Sequence, residues 1–174
     1  MKKPAIIIIA ILFIAWLGYN GFVNKSATAG SAWQDDISWT DAGITKDELA
    51  AKNKPVFLFI TTDWCTFCKK MKGETFADPD IQNLLSDKFV NIVVDPEKEG
   101  TARFTGEELS YKDLASKLGV TGYPTSVFYS DGGEVIGIQP GYIGVKDMKQ
   151  ITEYIGDGHY KDKSFQDYLS SAGN

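Results

Sequence analysis

The chain contains two cysteines, and both stand in one four-residue stretch, Cys65-Thr66-Phe67-Cys68, just behind the apolar run Pro55–Thr61. That run is unbroken and rich in β-branched and aromatic residues. It reads as a central strand buried on both faces. The cysteine segment then opens a helical stretch at Asp63-Trp64-Cys65, in which Phe67, Cys68 and Met71 are expected to share a face. A strand feeding the C-x-x-C, with a proline farther on, favours a redox use of the pair over a lone motif.

The chemistry follows from the helix start. A sulfur near the N-cap faces unpaired amides and the positive end of the helix dipole, which stabilises a thiolate. A free thiol of pKa ~8.5 is about 3% ionised at pH 7, whereas one of pKa ~7 is about half ionised. Part of that gain is lost, since a less basic sulfur is a weaker nucleophile. Cys68 comes almost one turn later, within reach of a mixed disulfide on Cys65, so the pair can cycle between dithiol and disulfide. Other uses of the motif fit less well. A c-type haem site needs histidine after the second cysteine, and Lys69 stands there. Two cysteines and one histidine cannot build a four-ligand Cys/His zinc site. A structural disulfide closing so small a loop removes little unfolded-state entropy. An inert staple or metal remnant stays as the alternative to redox chemistry.

The N-terminus is of another character. Ala5–Leu17 is 13 unbroken apolar residues behind Lys2 and Lys3, and the run continues more weakly to Val23. A cleaved signal peptide fits the basic start, with Ala27-Thr28-Ala29 as a distant cleavage site. An uncleaved anchor also fits, because Ala5–Val23 supplies 19 residues and Trp16, Tyr19 and Phe22 fall where interfacial aromatics are common. The anchor is the expectation adopted. Either reading places the rest of the chain outside the cytoplasm, in an oxidising compartment. The expected organisation is an anchor or signal segment at 1–23, a polar tether at 24–36 and one domain at 37–174. Beyond residue 29 the chain carries 15 basic and 23 acidic side chains, which argues against a nucleic-acid partner.

Within the domain, Trp33, Ile37 and Trp39 are expected to dock onto the body. Thr45–Glu48 is a capping box with Ile44 and Leu49 as its staple, starting a helix that ends near Asn53. Asp78-Pro79 caps a helix striped by Ile81, Leu84 and Leu85. Phe89–Val94 is the next strand, and residues 95–109 read as an inserted loop without period. Tyr111, Leu114, Ala115 and Leu118 mark a helix stopped by Gly119. Ser126–Tyr129 and Glu134–Ile138 form a hairpin through Asp131-Gly132-Gly133. Val145, Met148, Ile151 and Ile155 line a helix ending at Gly156, and a last helix carries Phe165, Tyr168 and Leu169. The order βα, βα, ββα predicts a layered α/β domain. The acidic run Asp95–Glu99 reads as a solvated loop rather than a metal site, and His159 as a surface or capping residue.

The strand Val56–Thr61, the motif Trp64-Cys65-x-x-Cys68-Lys69 and Gly122-Tyr123-Pro124-Thr125 about 55 residues on resemble the thioredoxin superfamily over about residues 45–156. The stretch Asp63–Cys65 through Thr75–Pro79 is similar to the periplasmic thioredoxin-like domain of DsbD-type membrane reductases. Pro140–Tyr142 through Tyr160, with Ser164–Gln166, resembles membrane-tethered SoxW-like thioredoxins. The resemblance implies a thioredoxin fold, a central mixed sheet flanked by helices. It implies Cys65 as the attacking and Cys68 as the resolving cysteine, and Pro124 as a cis proline packed against the disulfide. Tyr123 would offer backbone hydrogen bonds to an extended substrate segment. Trp64 would border the substrate groove or lie partly buried under the active-site loop. No cofactor or metal is implied. Protein disulfides are the implied substrates; an oxidising compartment and this chemistry call for a membrane electron donor of the DsbD type, and residues 5–23, if uncleaved, for the inner membrane.

Two departures from the family stand out. Thr66-Phe67 replaces the Gly-Pro of cytoplasmic thioredoxins, so the reduction potential is not inherited. Phe59 occupies the place, six residues before the first cysteine, where thioredoxins bury an acid. Glu74 or Asp63 could substitute for that acid, but each is expected to be a solvated surface acid, which leaves open how Cys68 loses its proton. The expected activity is extracytoplasmic thiol–disulfide oxidoreduction, in the direction of reducing protein disulfides. An oxidase or isomerase, or a non-catalytic module that binds clients beside Pro124, is the alternative.

Overall fold

The computed structural model describes residues 36–172. The segment at 1–23, nearly all of the tether and Trp33 lie outside the described residues. The order of elements is β1 (Trp39–Thr40), α1 (Lys46–Ala50), β2 (Val56–Ile60), α2 (Thr66–Gly73), α3 (Pro79–Lys88) and β3 (Val90–Val94). There follow β4 (Thr101–Ala102), β5 (Leu109–Ser110), α4 (Tyr111–Lys117), β6 (Thr125–Tyr129), β7 (Val135–Pro140), α5 (Val145–Gly156), a 3-10 turn (His159–Lys161) and α6 (Phe165–Ala172).

Five strands form one mixed sheet in the order β1-β3-β2-β6-β7. β1 and β2 run parallel to β3, while β6 is antiparallel to β2 and to β7. The apolar run thus becomes the central strand, and all five of its residues are buried. Its alternation splits the core. Phe57 and Phe59 enter a cluster with Phe76, Phe128, Met71, Met148 and both cysteines. Val56, Leu58 and Ile60 enter a second cluster with Ile92, Val94, Leu114 and Val127. Helices therefore cover both faces of the sheet, as β-α alternation requires.

The caps fall where local chemistry puts them. Thr45 and Glu48 form the reciprocal capping box that starts α1. The Asp78 carboxylate accepts from the Asp80 and Ile81 amides, with Pro79 in the first turn of α3. Gly119, at φ +68°, ends α4 in the left-handed conformation that favours glycine.

Four expectations change. α1 is shorter than its pattern suggested and stops at Ala50, ahead of Asn53, which takes a positive φ. Residues 95–109 are not wholly irregular, because β4 and β5 pair antiparallel within them and their immediate border. Two-residue strands carry no periodicity, so nothing local marked them. β1 was also unread: it exists through pairing of Trp39 with Asn91 and Thr40 with Ile92, a long-range contact. Phe67 does not share the buried face of Cys68 and Met71. It is 59% exposed, because it sits in the first turn of α2 at the open end of the sheet, where no layer lies above it.

Candidate active site

The register of β2 against β3 builds the site. Ile60 pairs with Val94, and the Thr61 N–H donates to the Val94 carbonyl at 3.1 Å, so both parallel strands end at one level. Whatever follows each strand emerges side by side at their carboxyl ends, the usual place for a site in a sheet of this kind. After β2 comes Thr62–Cys65, and after β3 comes the turn Asp95–Lys98.

Cys65 is the N-cap of α2. Its Sγ accepts a hydrogen bond from the Cys68 amide at 3.1 Å, satisfying one orphan donor of the first turn. The two cysteines are joined as a disulfide, with their Cα atoms 5.2 Å apart. Cys65 is 4% exposed and Cys68 fully buried, so only Cys65 meets the surface. When the bond is reduced, the same amide and the helix dipole favour a thiolate on Cys65.

The Tyr123–Pro124 peptide bond is cis. Pro124 is buried, and its carbonyl accepts the Gly141 N–H at 2.7 Å, which ties the loop to the end of β7. Tyr123 is half-buried and meets Trp64 edge-on, with ring centroids 6.1 Å apart. Its hydroxyl is held above the usual tyrosine range by burial first, then by the Glu97 and Asp95 carboxylates. Trp64 is 63% exposed, so it is not tucked under the active-site loop. The structure thus brings all five expected residues, Cys65, Cys68, Trp64, Tyr123 and Pro124, to one end of the sheet.

Three residues near the pair were not anticipated. Trp64 Nε1–H donates to both Glu97 carboxylate oxygens, at 3.0 and 2.9 Å. Lys98 Nζ lies 2.8 Å from Asp63 Oδ2 and 3.8 Å from Asp95 Oδ2. The hydrogen bond from Lys98 holds the Asp63 carboxyl below its ordinary range and raises the lysine in return. The acidic run is therefore not merely solvated; it grips the residues ahead of Cys65. The third is Lys72, one turn beyond Cys68 on α2, whose ammonium lies 5.9 Å from the Phe59 ring centroid. Burial pushes Lys72 down, against the raising effect of Asp63 and Asp95. No local motif announces these three; only the strand register could have placed the β3 turn beside Trp64. Neither acid closest in sequence takes the place left by Phe59: Asp63 is exposed and Glu74 is an exposed acceptor of the Tyr142 hydroxyl. Among the described residues no group of three or more His, Cys, Asp or Glu is placed to hold a metal.

The thioredoxin-like domain family matches residues 45–156. The chain is 34% identical over 113 residues to the thiol:disulfide interchange protein DsbD of Escherichia coli K12, covering 62% of this chain. That stretch is 18% of the longer protein, so the chain spans about a fifth of the relatives it matches. In structure it resembles a thioredoxin-fold protein from Helicobacter pylori, with a TM-score of 0.66 and 22% identity over 82% of this chain and 91% of that one. A thioredoxin from Thermus thermophilus gives a TM-score of 0.54 with 22% identity over 74% of this chain and 99% of that one. At such identities the structural likeness carries the fold alone. The family match and the disulfide at the mouth of α2 lead to one statement: the chain belongs to the thioredoxin-like family, and its Cys65/Cys68 pair carries thiol–disulfide oxidoreductase chemistry.

Proposed function

We propose that the chain is an extracytoplasmic protein-disulfide reductase, held at the inner membrane by residues 5–23, with 24–36 as tether and 37–174 as the catalytic domain. One observation carries the chemistry: the Cys65 sulfur caps α2 and takes the Cys68 amide, and of the two cysteines Cys65 is the one with any exposure. In the reduced chain the Cys65 thiolate attacks a substrate disulfide. One S–S bond forms, the substrate's breaks, and the departing sulfur takes a proton. Cys68 then loses its proton and attacks the Cys65 sulfur. The second substrate thiol leaves, and the chain is left with its own disulfide. Two electrons have passed to the substrate, so a dithiol donor must return them; a membrane donor of the DsbD type fits the compartment. Trp64 and Tyr123 form the rim over which the substrate segment lies, and Pro124 closes the side of the groove.

Insulin reduction in dithiothreitol tests the reading. The wild-type chain accelerates it and Cys65→Ser does not; an inactive wild type favours a client-binding module instead. Cys68→Ala should retain the natural partner as a mixed disulfide on Cys65. Fractionation of cells with sequencing of the mature N-terminus tests the tether, since retention of Ala5–Val23 in the membrane is expected.

A second reading, as an oxidase, has one observation in its favour. Where thioredoxins bury an acid, this chain has Phe59 with the Lys72 ammonium over its ring. A cation near the pair stabilises thiolates and makes the disulfide more oxidising. The measured potential decides: a value near about -120 mV replaces the reductase with an oxidase.

A further inference from the structure

We infer that Glu97, in the turn after β3, is a positioning residue for substrate recognition: it holds the Trp64 indole as a fixed wall of the groove through which a protein segment reaches Cys65. The inference rests on the thiol–disulfide reading above.

The turn is built to present this side chain. The Asp95 carboxylate accepts the Glu97 amide at 3.0 Å, and the Lys98 amide donates to the Asp95 carbonyl at 3.0 Å. Such an Asx-supported turn fixes the backbone just beyond a core strand. Farther on, the Gly100 carbonyl accepts the Tyr111 amide at 3.2 Å, and the Tyr111 ring packs where a side chain at position 100 would stand. The loop is thus fastened at both ends. From it, two adjacent side chains reach two adjacent partners, Glu97 to Trp64 and Lys98 to Asp63.

Trp64 needs this support. It is 63% exposed, and its ring stands steeply against that of Tyr123, at an interplanar angle of 73°. An exposed tryptophan without a tether spreads over its staggered χ1 wells. With both carboxylate oxygens of Glu97 on the indole N–H, one orientation is held, and that orientation joins the Cys65 cap to the loop before Pro124. A protein segment docking against the indole face then finds it already placed. If only about a third to a fifth of molecules had the competent rotamer, apparent affinity would fall by the same factor. A substrate so recognised is an extended, flexible polypeptide, large enough to touch Trp64 while its disulfide meets Cys65.

The test compares the full-length wild-type chain with Glu97→Ala and Glu97→Gln. Insulin reduction should show KM raised about three- to fivefold in Glu97→Ala, with kcat and the reduction potential held. Glu97→Gln should recover part of the loss, because its amide oxygen still accepts the indole proton. The indole N–H signal of Trp64, identified by its absence in Trp64→Phe, should move in Glu97→Ala and return toward the wild-type position in Glu97→Gln. A wild-type chain active on insulin with Glu97→Ala matching its KM overturns this inference alone. Equal losses in kcat or a shifted potential overturn it too, since they place Glu97 at the sulfurs. A wild-type chain that leaves insulin intact overturns the functional reading and this inference with it.

Discussion

Phe57 and Phe59 of β2 point into a layer of rings, whereas Val56, Leu58 and Ile60, their immediate neighbours, point into a layer made mostly of aliphatic side chains. In the first layer Phe59 meets Phe76 edge-on at 4.9 Å, and Phe57 stacks on Phe128 at 5.2 Å. Rings have preferred mutual angles and few rotatable bonds, so they fix the position of what rests on them. α2 rests there through Cys68 and Met71. The second layer is held by burial of branched side chains, which is strong but less directional. The contrast suggests a division: one face orients the sulfurs, and the other mainly supplies stability.

Substitutions on the two faces can break or sharpen that division. The largest effect is expected at the chemistry itself. Cys65→Ser should cut insulin reduction by about a thousandfold or more, and persistence of turnover would remove the ring face from its role. Next come the adjacent residues Phe59→Ala and Leu58→Ala, each fully buried. Urea unfolding should show losses of about 4 and about 3 kcal/mol, respectively. They should differ in the thiol: measured on the lone Cys68 of a Cys65→Ser background, the pH profile of alkylation shifts with Phe59→Ala and stays put with Leu58→Ala. Identical profiles would mean that the two layers are equivalent supports.

Tyr129 sharpens the comparison from the second face. It is buried against Phe104, its hydroxyl has no protein partner, and burial pushes it up to about 12. With the unfolded value near 10, the neutral form favours the folded state. That contribution is intact below about pH 10 and is lost as pH rises toward 12, a change of about 2–3 kcal/mol. Tyr129→Phe should flatten this alkaline limb in thermal melts and leave the thiol titration alone. The smallest effect belongs to Thr45→Ala, which removes the α1 cap under the second layer. It should cost about 1 kcal/mol in urea with no change in KM.

The ring layer and the pair above it were partly legible in the sequence, for different reasons. The run at β2, the capping residues of α1 and α3 and the hairpin through Asp131-Gly132-Gly133 are local patterns, and each forms where its residues predict. The cis bond before Pro124 came from family resemblance, since composition alone favours trans. Phe67 was misassigned because helical spacing fixes an angle around α2 but not where the neighbouring layer ends. Glu97 and Lys98 read as part of a solvated loop because their partners lie more than 30 residues away. Their contact follows from the shared level at which β2 and β3 stop, a property of pairing that no single segment contains.

Cys68 has no exposure, while Cys65 reaches the boundary. On the proposed cycle, the competitor that ends each encounter is therefore carried inside the same molecule and cannot diffuse away. Release of an adduct can then proceed by a first-order step within the chain, which consumes no ambient thiol. Such a molecule keeps its own time, letting go of a client on an internal clock even where outside reducing equivalents run short.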